Sequence, residues 1–544
     1  MGRALMWWGG WAGLVVASLW LGNDALNDFF APGGLYHILF AIAFAFAAGV
    51  ILLFIHDTTQ TQNPIQRMFP VAYWGRKFAV TVGPLLRQYW FTTDLEEKPF
   101  NRVTRDWVYK TSKGEPNNIG FGSQIDFDAV GTYHVLHSTF TNKAAKQGYE
   151  TDCKYSCTIG TASGVANPVT MEHFLNISAM SFGSLSARAI SALNMGAKKA
   201  GIYHNTGEGG YSQYHKQGGS VIFQMGTAKF GCRDADGNLD EGLLKAISDH
   251  DEVKMIEVKL AQGAKPGKGG MLLKEKITKE IAEIRNVPMG QDIHSPPRHS
   301  EISDVDDLFD FIDRIRELTG KPVGIKLVVG HIEEIESIAI KMANEPGRGP
   351  DYISVDGSEG GTGAAPLVLA SHAGLPMKQA IAVVDWALKE HGVRDKVTLF
   401  SAGQIATPID VVVSMALGAD AVYIARGFML ALGCIQALDC HSNHCPTGIA
   451  TQSQRKQRVL DVNAAAERVS LYAKVLAKEV QYLTESCGYT SPSQFTPDDI
   501  MVVTSPGHLD YLSELQGVSA WEAAQERKKA MSQGMTVGEW KAKA

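Results

Sequence analysis

The sequence predicts an α/β protein whose main body is a (β/α)8 barrel of the TIM type, preceded by two N-terminal transmembrane helices. Three features carry this expectation. From Phe174 onward, short β-rich apolar runs alternate with segments whose apolar residues recur at helical spacing. Nearly every run is followed by glycine or polar residues, and two long uncharged stretches precede them all.

The uncharged stretches come first in the chain. Residues 4–22 carry Trp7, Trp8, Trp11 and Trp20, which suit the interfacial belt around an apolar helix, and residues 33–55 form the second run. At about 1.5 Å per residue each is long enough to cross about 30 Å of hydrocarbon. A signal peptide for the first and a buried core helix for the second are the alternatives. Arg3 precedes the first run, the loop between them holds Asp24 and Asp28, and Arg67, Arg76, Lys77 and Arg87 follow the second. By the positive-inside rule both ends face the cytoplasm, so the catalytic domain is expected on the cytoplasmic side of the membrane. The expected division is an anchor over 1–56, a connector over 57–150, the barrel over 151–460 and a helical C-terminal extension over 461–544.

The eight strands are expected at 174–179, 202–205, 221–224, 255–259, 323–328, 352–355, 397–401 and 421–425. Barrel enzymes build their sites at the carboxyl ends of strands. There the chain offers Met180 and Ser181, then Asn205 to Gly210, Gln224, Lys259 to Lys265, Lys326, Asp356 to Gly363, Ala402-Gly403, and Arg426-Gly427. Loops after the seventh and eighth strands commonly hold a phosphate, which singles out Gly403, Arg426 and Gly427 as the cradle of a phosphorylated cofactor.

Composition sets outer limits. With 45% hydrophobic and 20% charged residues over 544 positions the chain can bury a large core, and its net charge of −6 gives no general attraction for nucleic acid. Seven cysteines are too few for a disulfide scaffold, and three of them crowd together at Cys434, Cys440 and Cys445. That clustering suggests a metal. Zinc, with His441 or His444 as a fourth ligand, is one reading of it.

Read in order, the chain contains ISAMSFGSLS at 177–186, NTGEGG at 205–210, LAQGAKPGKGG at 260–270, SPPRH at 295–299, GIKLV at 324–328, EGGTGAAPL at 359–367 and LGCIQALDCHSNHCPTGIATQ at 432–452. With these motifs the stretch from about 174 to 452 resembles the FMN-binding synthase domain of glutamate synthase. The anchored form resembles short, membrane-anchored bacterial relatives of that family. The resemblance implies FMN, held by Met180, Ser181, Gln224, Lys326, Gly403, Arg426 and Gly427, and a [3Fe-4S] cluster on Cys434, Cys440 and Cys445. It implies reductive amination of 2-oxoglutarate or a related oxoacid with ammonia or an amine, using electrons from an unidentified donor; a flavin oxidoreductase of another substrate coupled to a membrane electron carrier, and a redox relay without turnover, are the alternatives. Gln262, Lys265 and Arg285 match family positions that hold the oxoacid, Glu208 matches an acidic residue near the point where ammonia arrives, and Lys326 lies at the flavin. The catalytic set so implied is Glu208, Lys265, Arg285 and Lys326.

Two departures from the family pattern stand out. The chain opens on apolar spans where an amidotransferase domain would be, so ammonia is expected from solution or from another chain. The family's GGQ segment reads Gly269-Gly270-Met271, a thioether where an amide would serve the substrate.

Overall fold

The structure is a computed structural model that describes residues 34–118, 120–123, 125–140 and 155–515. By its internal contacts the chain divides between Lys98 and Pro99 into two units. This division differs from the boundary expected at residues 56/57.

In the first unit the expected second span is a helix, Gly34–Thr59. Its segment Leu39–Thr59, with mean hydropathy 2.5 and no buried share, is long and apolar enough to cross a membrane. The first expected span, residues 4–22, lies outside the described residues. Asp57 ties off the end of the long helix. Its carboxylate is fully buried and accepts hydrogen bonds from Gln66 Nε2 at 2.6 Å, Val71 N at 2.9 Å and Trp74 Nε1 at 3.1 Å. These donors belong to the helix Pro64–Met68 and to the start of the helix Ala72–Leu86.

In the second unit eight parallel strands close a barrel: β1 (Leu175–Ile177), β2 (His204–Asn205), β3 (Val221–Met225), β4 (Val253–Lys259), β5 (Val323–Leu327), β6 (Tyr352–Asp356), β7 (Thr398–Ala402) and β8 (Ala421–Ile424). Each pairs with its neighbours in sequence, and β8 returns to β1 through Val422 opposite Leu175 and Ile424 opposite Ile177. All eight fall on the runs read from sequence. The strands are wholly buried along nearly their full length because helices cover their outer faces.

The helices start and stop where local chemistry dictates. Ser186 caps Ala187–Ala200 through Ala189 N, and Gly201, at φ +70°, ends it in the left-handed conformation that glycine adopts without strain. Asp304 caps Val305–Thr319 in the same way, and Gly320 ends it. Inside the barrel Phe400 stacks on Tyr423 at 4.7 Å and meets Tyr352 edge-on at 5.3 Å, and the short hairpin Cys157–Ile159/Val169–Met171 adds Ile159 and Met171 to that cluster. Gly160 of the hairpin lies against Pro322, just before β5, so the hairpin plugs the amino-terminal end. The polar end of the barrel is therefore the other one.

The expected connector and C-terminal extension share elements in this unit. The helix Val462–Ser486 packs on Ala187–Ala200 and on Arg102–Ser112, where Trp107 Nε1 donates to Glu479 at 3.2 Å. After that helix the chain is not purely helical: strands Ile500–Ser505 and His508–Tyr511 join Tyr133–Val135 in an antiparallel sheet. A strand from before the barrel thus completes a sheet formed after it.

Candidate active site

Inward-facing positions turn polar toward the carboxyl ends of the strands. Glu257 on β4 is fully buried and receives Asn205 Nδ2 of β2 at 2.8 Å, Gln224 Nε2 of β3 at 2.7 Å and Ser354 Oγ of β6 at 2.6 Å. Above this layer Lys326 of β5 pairs with Asp356 of β6 at 3.3 Å, and Asp356 also accepts from Gly263 N at 2.9 Å. Burial opposes the charge on Lys326, but Asp356 and then Glu257 outweigh it and hold the ammonium above its ordinary pKa. Lys326 is a fixed cation at the strand end.

At the rim, Glu208 follows β2 and takes an ion-paired hydrogen bond from Lys259 Nζ of β4 at 2.7 Å. Its side chain fits between Gly226 and Gly270, where a Cβ would lie 2.4 and 2.8 Å from its carboxylate oxygens. Burial works to raise the Glu208 pKa; Lys259 first, then Lys265 and Arg285, overcome it and hold the group below the usual carboxylate range. Lys259 also donates to Gln262 Oε1 at 3.3 Å, while Gln262 Nε2 donates to Gly361 O at 2.8 Å. Lys265, 7% exposed, reaches Ala364 O at 3.4 Å, and burial together with Lys259 pushes its ammonium down against the pull of Glu208.

Arg285 closes the helix Lys279–Arg285 and turns inward, donating through Nη2 to Phe182 O at 2.9 Å and, more weakly, to Ser181 Oγ at 3.5 Å. Its guanidinium lies 5.2 Å from the Phe230 ring centre, its Nε has no partner among the described residues, and burial lowers its pKa to about 10 despite Glu208. Three cations, Lys259, Lys265 and Arg285, thus surround one carboxylate, a surplus of two positive charges in a largely buried site. Met180 and Ser181, both 8% exposed, cross this region beneath Gly207, whose added Cβ would meet Ser181 N at 2.7 Å.

The expected phosphate cradle is differently furnished. Gly403 follows β7 and faces Met377 and the Glu359 carboxylate, which accepts from Met377 N at 3.0 Å with both oxygens, at the start of the helix Met377–Glu390. Burial raises the Glu359 pKa. Arg426 donates to Glu359 O at 2.5 Å and lies over Phe100, whereas Gly427 is packed against the Tyr472 hydroxyl. Gly403 and Arg426 therefore converge on one place; Gly427 serves close packing beside it.

Cys434, Cys440 and Cys445 are free thiols that act electrostatically on one another. Among the described residues no three His, Cys, Asp or Glu side chains are grouped so as to hold a metal ion, and His444 Nδ1 is engaged with Ser442 O at 2.6 Å. The cysteine segment is laced to the loop after β1. Lys276 Nζ donates to Cys440 O at 2.7 Å and Ser184 O at 3.0 Å, and Gln452 Nε2 donates to Gly183 O and Leu185 O.

Of the residues singled out from sequence, Glu208, Gln262, Lys265 and Arg285 meet at one rim, and Gln224 and Lys326 lie in the layer beneath. Met271 is 43% exposed in the short strand Met271–Leu272, a surface position. Sequence reading missed Lys259 as the partner of Glu208, and Glu257 altogether. The signal was there: Glu257 and Lys259 stand at alternate positions of the strand and so share one face, opposite to the exposed Lys254.

Residues 128–490 match the family described as a conserved region in glutamate synthase. The glutamate synthase large subunit-like protein YerD of Bacillus subtilis is 37% identical over 87% of this chain and 97% of its own length. The archaeal-type glutamate synthase [NADPH] of Thermotoga neapolitana is 37% identical over 64% of this chain, which spans 65% of that protein. A glutamate synthase large subunit-like protein of Rhizobium meliloti is 33% identical over 66% of this chain and 81% of its own. A family match that encloses the whole barrel, with a relative aligned along nearly its whole length, places this chain in the glutamate synthase family.

Proposed function

We propose that this chain is a membrane-anchored, flavin-dependent oxidoreductase of the glutamate synthase type that reductively aminates 2-oxoglutarate or a related dicarboxylic oxoacid, using ammonia or an amine. The observation that carries this reading is the surplus of two positive charges around Glu208. A dicarboxylic oxoacid brings two carboxylates, and Lys265 and Arg285, both depressed by burial, regain favourable partners when an anion arrives. Glu208, held as a carboxylate beside Lys259, is suited to bind an ammonium ion or to orient an incoming amine through its N–H groups.

The residues fit FMN at its ring end. Gln224 retains an amide oxygen with no hydrogen-bond partner among the described residues, an acceptor for an imide N–H, and Lys326 is a buried cation for the electron-rich edge. Gly403 and Arg426 are the groups for its phosphate. The three cysteines are assigned to a [3Fe-4S] cluster, with one thiolate for each iron. Burial raises the pKa of Cys434 and Cys440, while Thr447 and the backbone N–H groups of Ala450, Thr447 and Ile449 offset burial at Cys445 and lower its pKa. When bound, FMN supplies hydride chemistry and a [3Fe-4S] cluster supplies single electrons from the donor. The segment Leu39–Thr59 supports membrane attachment, and the basic residues after it support a cytoplasmic barrel.

The test is anaerobic reduction of the detergent-purified protein followed by addition of oxoacids, with and without ammonium. Flavin reoxidation with glutamate formation, dependent on both 2-oxoglutarate and ammonium, is expected. Reoxidation by some other class of substrate, with none by oxoacids, overturns the proposal.

A further inference from the structure

The buried Glu257 network has no place in the substrate chemistry above, yet it touches Gln224, whose amide oxygen has no hydrogen-bond partner among the described residues. Glu257 lies below Lys259 on β4 and faces the barrel interior with Asn205, Gln224, Ser354 and Tyr423. Each of its oxygens is claimed: Oε1 by the Asn205 and Gln224 amide nitrogens at 2.8 and 2.7 Å, Oε2 by Ser354 Oγ at 2.6 Å. A carboxylate only accepts, so an amide beside it must turn its NH2 group inward. The amide oxygen of Gln224 then faces away from Glu257.

We infer that Glu257 is a positioning residue that locks the Gln224 amide with its oxygen toward the ligand, so that the barrel end selects a flavin ring bearing an N–H donor on its pyrimidine edge. The inference rests on the FMN reading and adds to it the group that sets the polarity of the contact. Without Glu257 the Gln224 amide is free to rotate by half a turn, and a donor and an acceptor become interchangeable at that point. Asn205 helps to hold the carboxylate, since its own Oδ1 is tied to Gly207 N at 3.0 Å and only its NH2 remains for Glu257. The orientation of Gln224 is thus fixed through a chain that starts at the turn carrying Glu208.

The experiment compares the binding of FMN and of 3-methyl-FMN, in which a methyl group replaces the N3 hydrogen, to flavin-stripped full-length protein by fluorescence quenching. Wild-type protein should prefer FMN by at least about tenfold, the size of one lost hydrogen bond with its acceptor left unpaired. Glu257→Gln should bind FMN more weakly and reduce this preference to about twofold or less, the loss expected when one hydrogen bond ceases to discriminate. A merely structural Glu257 would weaken both flavins equally and leave the ratio unchanged. Glu257→Leu, similar in volume and unable to hold an amide, is the second variant, and thermal melting identifies which variants are folded. An unchanged ratio in a folded variant, or a wild-type protein indifferent to N3 methylation, overturns the inference while leaving FMN as the cofactor. No binding of either flavin by wild-type protein overturns the cofactor reading and this one with it.

Discussion

Lys259 Nζ lies 2.7 Å from Glu208 Oε1, joining the end of the fourth barrel strand to the loop after the second. Lys259 is also the first attractive influence that keeps the Glu208 carboxylate ionised against burial. The pair is the electrostatic centre of the candidate active site.

Replacing either member should have distinct effects. Glu208→Gln should retain FMN and lower ammonium-dependent turnover by about 10²–10⁴-fold, the range for a positioned acid or base. In Lys259→Met the Glu208 pKa should rise, because its main attractive partner is gone while burial remains. As pH falls, the variant should therefore lose activity at a higher pH than wild type does. A pH profile of flavin reoxidation measures this directly, and an unshifted acid limb would count against the pairing.

Arg285 and Lys265 should separate dicarboxylic from monocarboxylic oxoacids. Arg285→Leu removes one of the two surplus positive charges, so the apparent KM for 2-oxoglutarate should rise at least about tenfold, as for loss of a charge-assisted hydrogen bond. The KM for a monocarboxylic oxoacid should move much less. Equal effects on both would locate Arg285 away from the second carboxylate.

Buried histidines set a pH limit on the fold. Burial lowers the pKa of His299 to about 4 and of His215 to about 3, and His204, with both ring nitrogens unpartnered among the described residues, is lowered well below its ordinary value. For a base with a depressed folded pKa, the unfolded chain binds more protons once pH drops below about 6.5, so stability falls from there down to the folded pKa. Each fully buried histidine contributes a slope of about 1.4 kcal/mol per pH unit across that window. Thermal melting between about pH 7.5 and about pH 4.5, from above the window into it, should show this decline, and His204→Phe should make it shallower. Melting that is independent of pH in this range would refute the assignment.

Cys440→Ser tests the cluster proposal. A hydroxyl is a poor replacement for a soft thiolate, so iron content and any low-temperature paramagnetic signal of the oxidised protein should fall while FMN, held by other strand ends, stays. Reduction by a protein donor should be lost, and reduction by a small dye should persist. Zinc in place of iron would refute the cluster.

Eight barrel strands were legible in the sequence because each is a short apolar run bounded by turn residues, a pattern set by local chemistry. The helix stops at Gly201 and Gly320 follow from the same kind of local chemistry, and the apolar run read over 33–55 falls almost wholly within the helix Gly34–Thr59. Glu208 and Lys265 could be named in advance because they stand in motifs after strands, Gln224 because it ends a run read as a strand, and Arg285 only through the family resemblance, since it closes a helix. What the residues do to one another could not be named, since it depends on which strands become neighbours on closure. Only the closed barrel brings β2, β3, β4 and β6 around Glu257, turns Lys259 toward Glu208, and sets the Glu359 carboxylate beside Gly403. The sheet joining Tyr133–Val135 to the strands after the last long helix was equally hidden, because short strands far apart in sequence carry no signal of their pairing until the intervening barrel has brought them together. Sequence by itself determined the barrel, its polar end and the residue types gathered there; tertiary structure alone decided which charges pair, because an ion pair depends on a few ångströms of separation that no local pattern encodes.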